Sequence, residues 1–259
     1  VVLLYEKSDG VVTVTLNRPQ AMNAINGEMA QALMRAWEDF AQDPQARVLI
    51  MTGSGERSFC VGADLRERAD VQGDPHLGGF WSRATDEMPM RRAAIYKPAI
   101  GAINGHCLGG GLELALLCDI RIASENATFG QPEICWGIFP GMGATQRLPR
   151  VLPYNLAAEI VLTGRPVGAR QALAMGLVNR VVPAGELMAA ARELAEVIGR
   201  NAPLAVRAAK EALLRSYDLP LEQGLRLEGL LRRAVGETAD AREGRMAFEE
   251  KRVPRYEGR

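Results

Sequence analysis

Histidine and cysteine are scarce in this chain of 259 residues: two of the first, His76 and His106, and four of the second. No HExxH pair and no cluster of cysteine with histidine is present, so no resident metal site is expected. Cys60, Cys107, Cys118 and Cys135 are scattered without a CxxC pair. That usage fits reduced thiols in a cytosol-like compartment rather than a disulfide framework. Net charge is also lacking, since 31 basic residues balance 31 acidic ones. The balance disfavours a nucleic-acid partner, which calls for a basic excess. No apolar run approaches the roughly 20 residues of a membrane span, so no membrane partner is expected. The opening stretch VVLLYEKSDG has no basic region before an apolar run, as a signal peptide would have. The expected location is cytoplasmic, or the mitochondrial matrix if a leader preceded the first residue.

Both common phosphate-binding glycine patterns are missing as well. There is no GxGxxG followed by an acidic residue after the next strand, and no GxxxxGK. The chain does hold 47% hydrophobic residues, enough to bury a large core. VVLLYE and VVTVTLN flank KSDG, a hairpin signal. Asn26 is placed to cap a helix from about Gly27 to Gln42, with Met29, Leu33, Trp37 and Phe40 on one side. RVLIMTG, AIGAING, DIRIAS and VNRVV read as further strands, with GGLELALLC as a helix among them. This alternation predicts an α/β protein with largely parallel strands. From Ala184 onward the pattern is almost wholly helical. The expected division is a core over 1–190 and a helical region over 191–259.

Three stretches are suited to chemistry. In GHCLGGGLELALLCD, residues 105–119, three glycines open a helix and Glu113 stands between Leu112 and Leu114. A carboxylate in such surroundings costs several kcal/mol unless it is paired or put to use. The glycine run alone reads rather as a tight strand-to-helix turn. In FCVGADLRER, residues 59–68, a short apolar piece ends at Gly62 and Ala63, where backbone N–H groups could meet a ligand. In FGQPEICWGIFPGMGATQRLPR, residues 129–150, Glu133 precedes an apolar run and reads equally as a capping or surface glutamate. Together, two carboxylates in apolar settings and two glycine-lined turns suit an acid/base pair facing a polarised acyl group.

In this order, TLNRPQAMNAIN, FCVGADL, KPAIGAINGHCLGGGLELALLCDIRIAS, FGQPEICWGIFPGMGATQRLPR, LTGRPVGARQALAMGLVNRVV and MAFEEKR resemble the enoyl-CoA hydratase/isomerase (crotonase) superfamily over essentially the whole chain. The resemblance implies a crotonase-like spiral of ββα units followed by a C-terminal helical trimerisation region, hence a homotrimer or a hexamer built as a dimer of trimers. It implies an acyl-CoA thioester substrate and no cofactor, coenzyme A being part of the substrate. By similarity the N–H groups of Ala63 and Gly110 form an oxyanion hole, and Glu113 and Glu133 match the two catalytic glutamates of hydratases. Gly141 matches a water-positioning glycine. Cys60, Gly62, Asp64, Leu65, Arg66, Trp136, Phe248 and Lys251 are the implied CoA or acyl contacts. The activity implied is an enoyl-CoA hydratase of fatty acid metabolism and β-oxidation. Alternatives within the fold are an isomerase, a specialised dehydratase or a thioester hydrolase, and outside catalysis an RNA-binding or scaffold member. Ala144 departs from the pattern, which usually has glycine there. Residues 67–96 are the least family-like, and Trp81, Met88 and Met90 within them read either as acyl-pocket walls or as core.

Overall fold

A computed structural model describes residues 1–64, 66 and 95–259. The chain opens on the expected hairpin. Strand β1 (Leu3–Ser8) pairs antiparallel with β2 (Val11–Leu16). Asp9 and Gly10 turn between them with φ of 52° and 77°, the left-handed pair that a two-residue hairpin loop requires. Helix α1 (Gly27–Gln42) starts where the Asn26 side chain accepts the Met29 N–H at 3.0 Å.

From there the chain winds as a spiral. It lays down β3 (Val48–Gly53) and β4 (Ser58–Cys60), then β5 (Ala99–Ile103) and β6 (His106–Leu108), then α2 (Gly110–Ala115). The next turn gives β7 (Ile120–Ser124) and β8 (Thr128–Gly130), followed by a 3-10 turn over Pro132–Trp136. Each turn contributes one strand to each of two sheets. The larger sheet has the order β1-β2-β3-β5-β7 and then β10 (Arg180–Val182), parallel from β2 onward, and the smaller has the order β4-β6-β8 and then β9 (Val167–Gly168). After α3 (Ala144–Val151) and α4 (Tyr154–Thr163), β9 (Val167–Gly168) closes the small sheet antiparallel to β8. Helix α5 (Ala169–Met175) then leads to β10 (Arg180–Val182).

Strand periodicity decides what each face of the large sheet buries. Leu49 and Met51 join Met29, Leu33, Trp37 and Phe40 of α1 in the main core. Val48 and Ile50 face the other way, with Ile100 and Ala102, against Leu187, Ala190, Ala191 and Ala195 of α6 (Leu187–Gly199). The expected division after residue 190 therefore falls inside α6. The other helices are α7 (Pro203–Arg215), α8 (Leu221–Gly236) and α9 (Ala239–Glu249). Helices α7 and α8 contain no buried residue. Lys210 ties α7 to the core through Asp119 at 2.8 Å and the Lys97 carbonyl at 2.8 Å. No helix among the described residues is long and apolar enough to cross a membrane.

Candidate active site

The three glycines before Glu113 each admit a different neighbour. A Cβ on Gly111 would overlap the Cys60 carbonyl oxygen, so α2 lies directly on the end of β4. A Cβ on Gly110 would stand 2.7 Å from the Met142 methyl and 3.7 Å from the Ala63 nitrogen. A Cβ on Gly109, whose φ is 55°, would stand 2.9 Å from Glu133 Oε1. Close backbone approach is what glycine permits here. The run thus brings together Ala63, Gly110, Met142 and Glu133, with Glu113 one turn along α2.

The Ala63 loop is held by the segment before α1. Ile25 donates its N–H to the Gly62 carbonyl at 2.8 Å and accepts the Asp64 N–H at 2.9 Å, forming a one-residue parallel bridge to Ala63. Arg18 secures the same loop by donating to the Ala24 carbonyl at 2.6 Å and to Asp64 at 2.9 Å. Gly62 turns with φ of 93°, which sets it against Gly110. Among the described residues no acceptor takes the N–H of Ala63 or of Gly110. Two neighbouring amides without a protein acceptor are what an oxyanion hole needs.

The two glutamates are held differently. Glu113 is buried, and its Oε1 accepts the N–H groups of Met142 at 2.7 Å and Ala144 at 2.9 Å. Its second oxygen takes no partner among the described residues. Glu133 is half-buried in the 3-10 turn. Burial pushes its carboxyl up to about 6, and the nearby Glu113 charge pushes in the same direction. The fully buried Gln131, with its amide nitrogen turned toward the carboxylate, donates to Glu133 Oε2 at 2.9 Å and Oε1 at 3.0 Å.

The expected contacts differ in burial. The Cys60 side chain is wholly buried beneath α2, where Sγ accepts the Gly62 N–H at 3.4 Å and burial pushes the thiol up to about 12. The side chain supports the Gly62 turn. The Asp64 carboxylate is engaged by Arg18, which holds it below the usual carboxylate range, and it also accepts the Arg66 N–H at 3.2 Å. Arg66 itself is exposed, and so is Gly141, beside the two amides that grip Glu113. Trp136 is 70% exposed on the rim just after Glu133, not part of a core. Phe248 is exposed in the last turn of α9, and Lys251 follows the helix with φ of 54°. Leu65, Trp81, Met88 and Met90 lie outside the described residues. Gln131 and Met142 escaped sequence reasoning. Each stands within two residues of a glycine or glutamate that was singled out, but spacing alone does not say where a side chain points. Among the described residues no group of histidine, cysteine or carboxylate side chains is arranged to hold a metal ion.

The family model described as enoyl-CoA hydratase/isomerase matches residues 6–259. The chain is 41% identical to the (E)-benzylidenesuccinyl-CoA hydratase of Thauera aromatica, over 98% of both chains. It is 42% identical to the carnitinyl-CoA dehydratase of Salmonella typhi, over 96% of this chain and 95% of the relative. The crystal structure of an enoyl-CoA hydratase from Bacillus anthracis superposes with a TM-score of 0.90 at 39% identity, covering all of both chains. The two-sheet spiral is therefore the crotonase fold, and the chain belongs to the enoyl-CoA hydratase/isomerase family.

Proposed function

We propose that the protein is an enoyl-CoA hydratase, adding water reversibly and syn across the 2,3 double bond of a 2-enoyl-CoA. The observation that carries this reading is a pair of neighbouring carboxylates, Glu133 against Gly109 and Glu113 on the helix that the glycine run opens, beside two unclaimed amides. The thioester oxygen accepts from the N–H groups of Ala63 and Gly110. Water attacks C3 as Glu113 takes its proton, and the electron pair of the double bond moves through C2 and C1 onto that oxygen. The two amides stabilise the enolate-like charge; in other enzymes one such donor is worth about 2.7–4 kcal/mol. The oxygen then returns the pair, and C2 takes a proton from Glu133. A carboxyl titrating near 6 supports this donor role, since its pKa lies close to neutral pH. Dehydration runs the same steps backwards.

The reaction needs no resident cofactor, because coenzyme A arrives with the substrate. We assign Arg66, Phe248 and Lys251 to the CoA portion and Gly141 to the water. The exposed leucines of α7 and α8, among them Leu213 and Leu225, support assembly as a trimer or a dimer of trimers. A β-oxidation role in the cytoplasm, or in a matrix compartment, accords with this substrate class.

The test is to supply crotonyl-CoA and its 3-enoyl isomer separately. Loss of the conjugated thioester absorbance with crotonyl-CoA supports hydration. Conversion of the 3-enoyl thioester alone would make the protein an isomerase. Light scattering should give a mass three or six times that of the chain.

A further inference from the structure

We infer that Met142 is a specificity-determining residue that selects substrates unsubstituted at C2; the inference rests on the hydratase reading above. The Met142 N–H donates to Glu113 Oε1 at 2.7 Å, so its backbone stands at that carboxylate. Its methyl lies at the other end of the site, 2.7 Å from where a Cβ on Gly110 would be. That same point is 3.4 Å from Gly62 Cα and 3.7 Å from the Ala63 nitrogen. The side chain thus runs from the water-activating carboxylate to the pair of amides assigned to the thioester oxygen. A bound enoyl group must follow the same course, with C1 at the amides, C3 within reach of water held by Glu113, and C2 between them. The Met142 thioether flanks C2.

Its backbone is pinned, because Arg147 donates to the Met142 carbonyl at 2.8 Å and Gly143 follows in the left-handed region with φ of 113°. Only the side chain can adjust. Methionine is adaptable enough to lie against a flat 2-enoyl group, but its bulk competes for the space that a methyl on C2 would need. Methylene-sized differences in an apolar pocket discriminate by about 10–200-fold.

The experiment compares kcat/KM for crotonyl-CoA and for 2-methylcrotonyl-CoA in wild type, Met142→Ala and Met142→Leu. The ratio within each variant is independent of how much of it is folded. Wild type should favour crotonyl-CoA, Met142→Ala should lower that preference by about tenfold or more, and Met142→Leu should keep it. An active wild type whose preference is unchanged in Met142→Ala overturns the role of Met142 alone. A wild type inactive on both thioesters overturns the hydratase reading, and this inference with it.

Discussion

Glu113 and Glu133 belong to two differently built regions: the amides of Met142 and Ala144 hold the first, and the second lies against Gly109. Glu113 rides on α2, whose backbone lies against β4 so tightly that only glycine fits at position 111. Two backbone amides hold its carboxylate, and they are fixed by the fold itself. Glu133 sits in a 3-10 turn on the rim, followed by exposed Trp136 and Phe139. Its carboxylate is held by the Gln131 side chain and by its own backbone N–H, and its titration depends on partial burial. One carboxylate is thus positioned by architecture and the other is adjusted by local surroundings. That division suits a pair in which one member activates water in a fixed place and the other changes protonation near neutral pH.

The contrast can be broken most severely at its glycines. Gly111→Ala puts a methyl into the Cys60 carbonyl, and it should leave little folded protein. Gly137→Ala, in the turn after Glu133, meets nothing within 4 Å and strains only a φ of 69°. It should cost about 1–2 kcal/mol. Urea denaturation of both variants checks this, and equal losses would mean that the two turns are equally constrained.

A smaller effect is expected at Gln131. Replacing it with leucine removes the hydrogen-bond donor that faces Glu133 and should cost about 1–3 kcal/mol of catalysis, read as kcat/KM. It should also move the Glu133 limb of the pH–rate profile upward, because the ionised carboxylate loses its donor. A purely structural role for Gln131 would leave that limb in place.

The smallest effect concerns stability. Burial lifts Glu133 from 4.5 to about 6, so the folded state binds this proton more tightly than the unfolded state. The resulting stabilisation is complete below 4.5 and is lost as pH rises through 6. Glu133→Gln should remove this dependence and be more stable than wild type at neutral pH. Thermal melts at acid and neutral pH measure the difference, and identical pH dependence in the two proteins would show that Glu133 is not desolvated.

Local signals carried much of the fold. The Asp9–Gly10 hairpin and the Asn26 cap are written in adjacent residues, and strands β3, β5 and β7 are long enough to show as apolar runs. The second sheet was not legible in this way. Strands β4, β6 and β8 have three residues each, too few to establish alternation, and they form because the spiral stacks them. The site divides along the same line. A glutamate between two leucines pointed to Glu113, and the family resemblance pointed to Gly110. The burial of Cys60, the pairing of Asp64 with Arg18, and the reach of Gln131 and Met142 depend on contacts between distant segments, which spacing does not encode. The asparagine-rich stretch before α1 could be matched to a family, but its work of bracing the Ala63 loop emerged only from hydrogen bonds across the fold.

The central claim is that both glutamates move protons in one reaction. The direct measurement is the rate of crotonyl-CoA hydration by wild type, Glu113→Gln and Glu133→Gln, each confirmed folded. Each variant should lose about 10²–10⁴-fold in kcat. Full activity in either variant would contradict the two-glutamate mechanism.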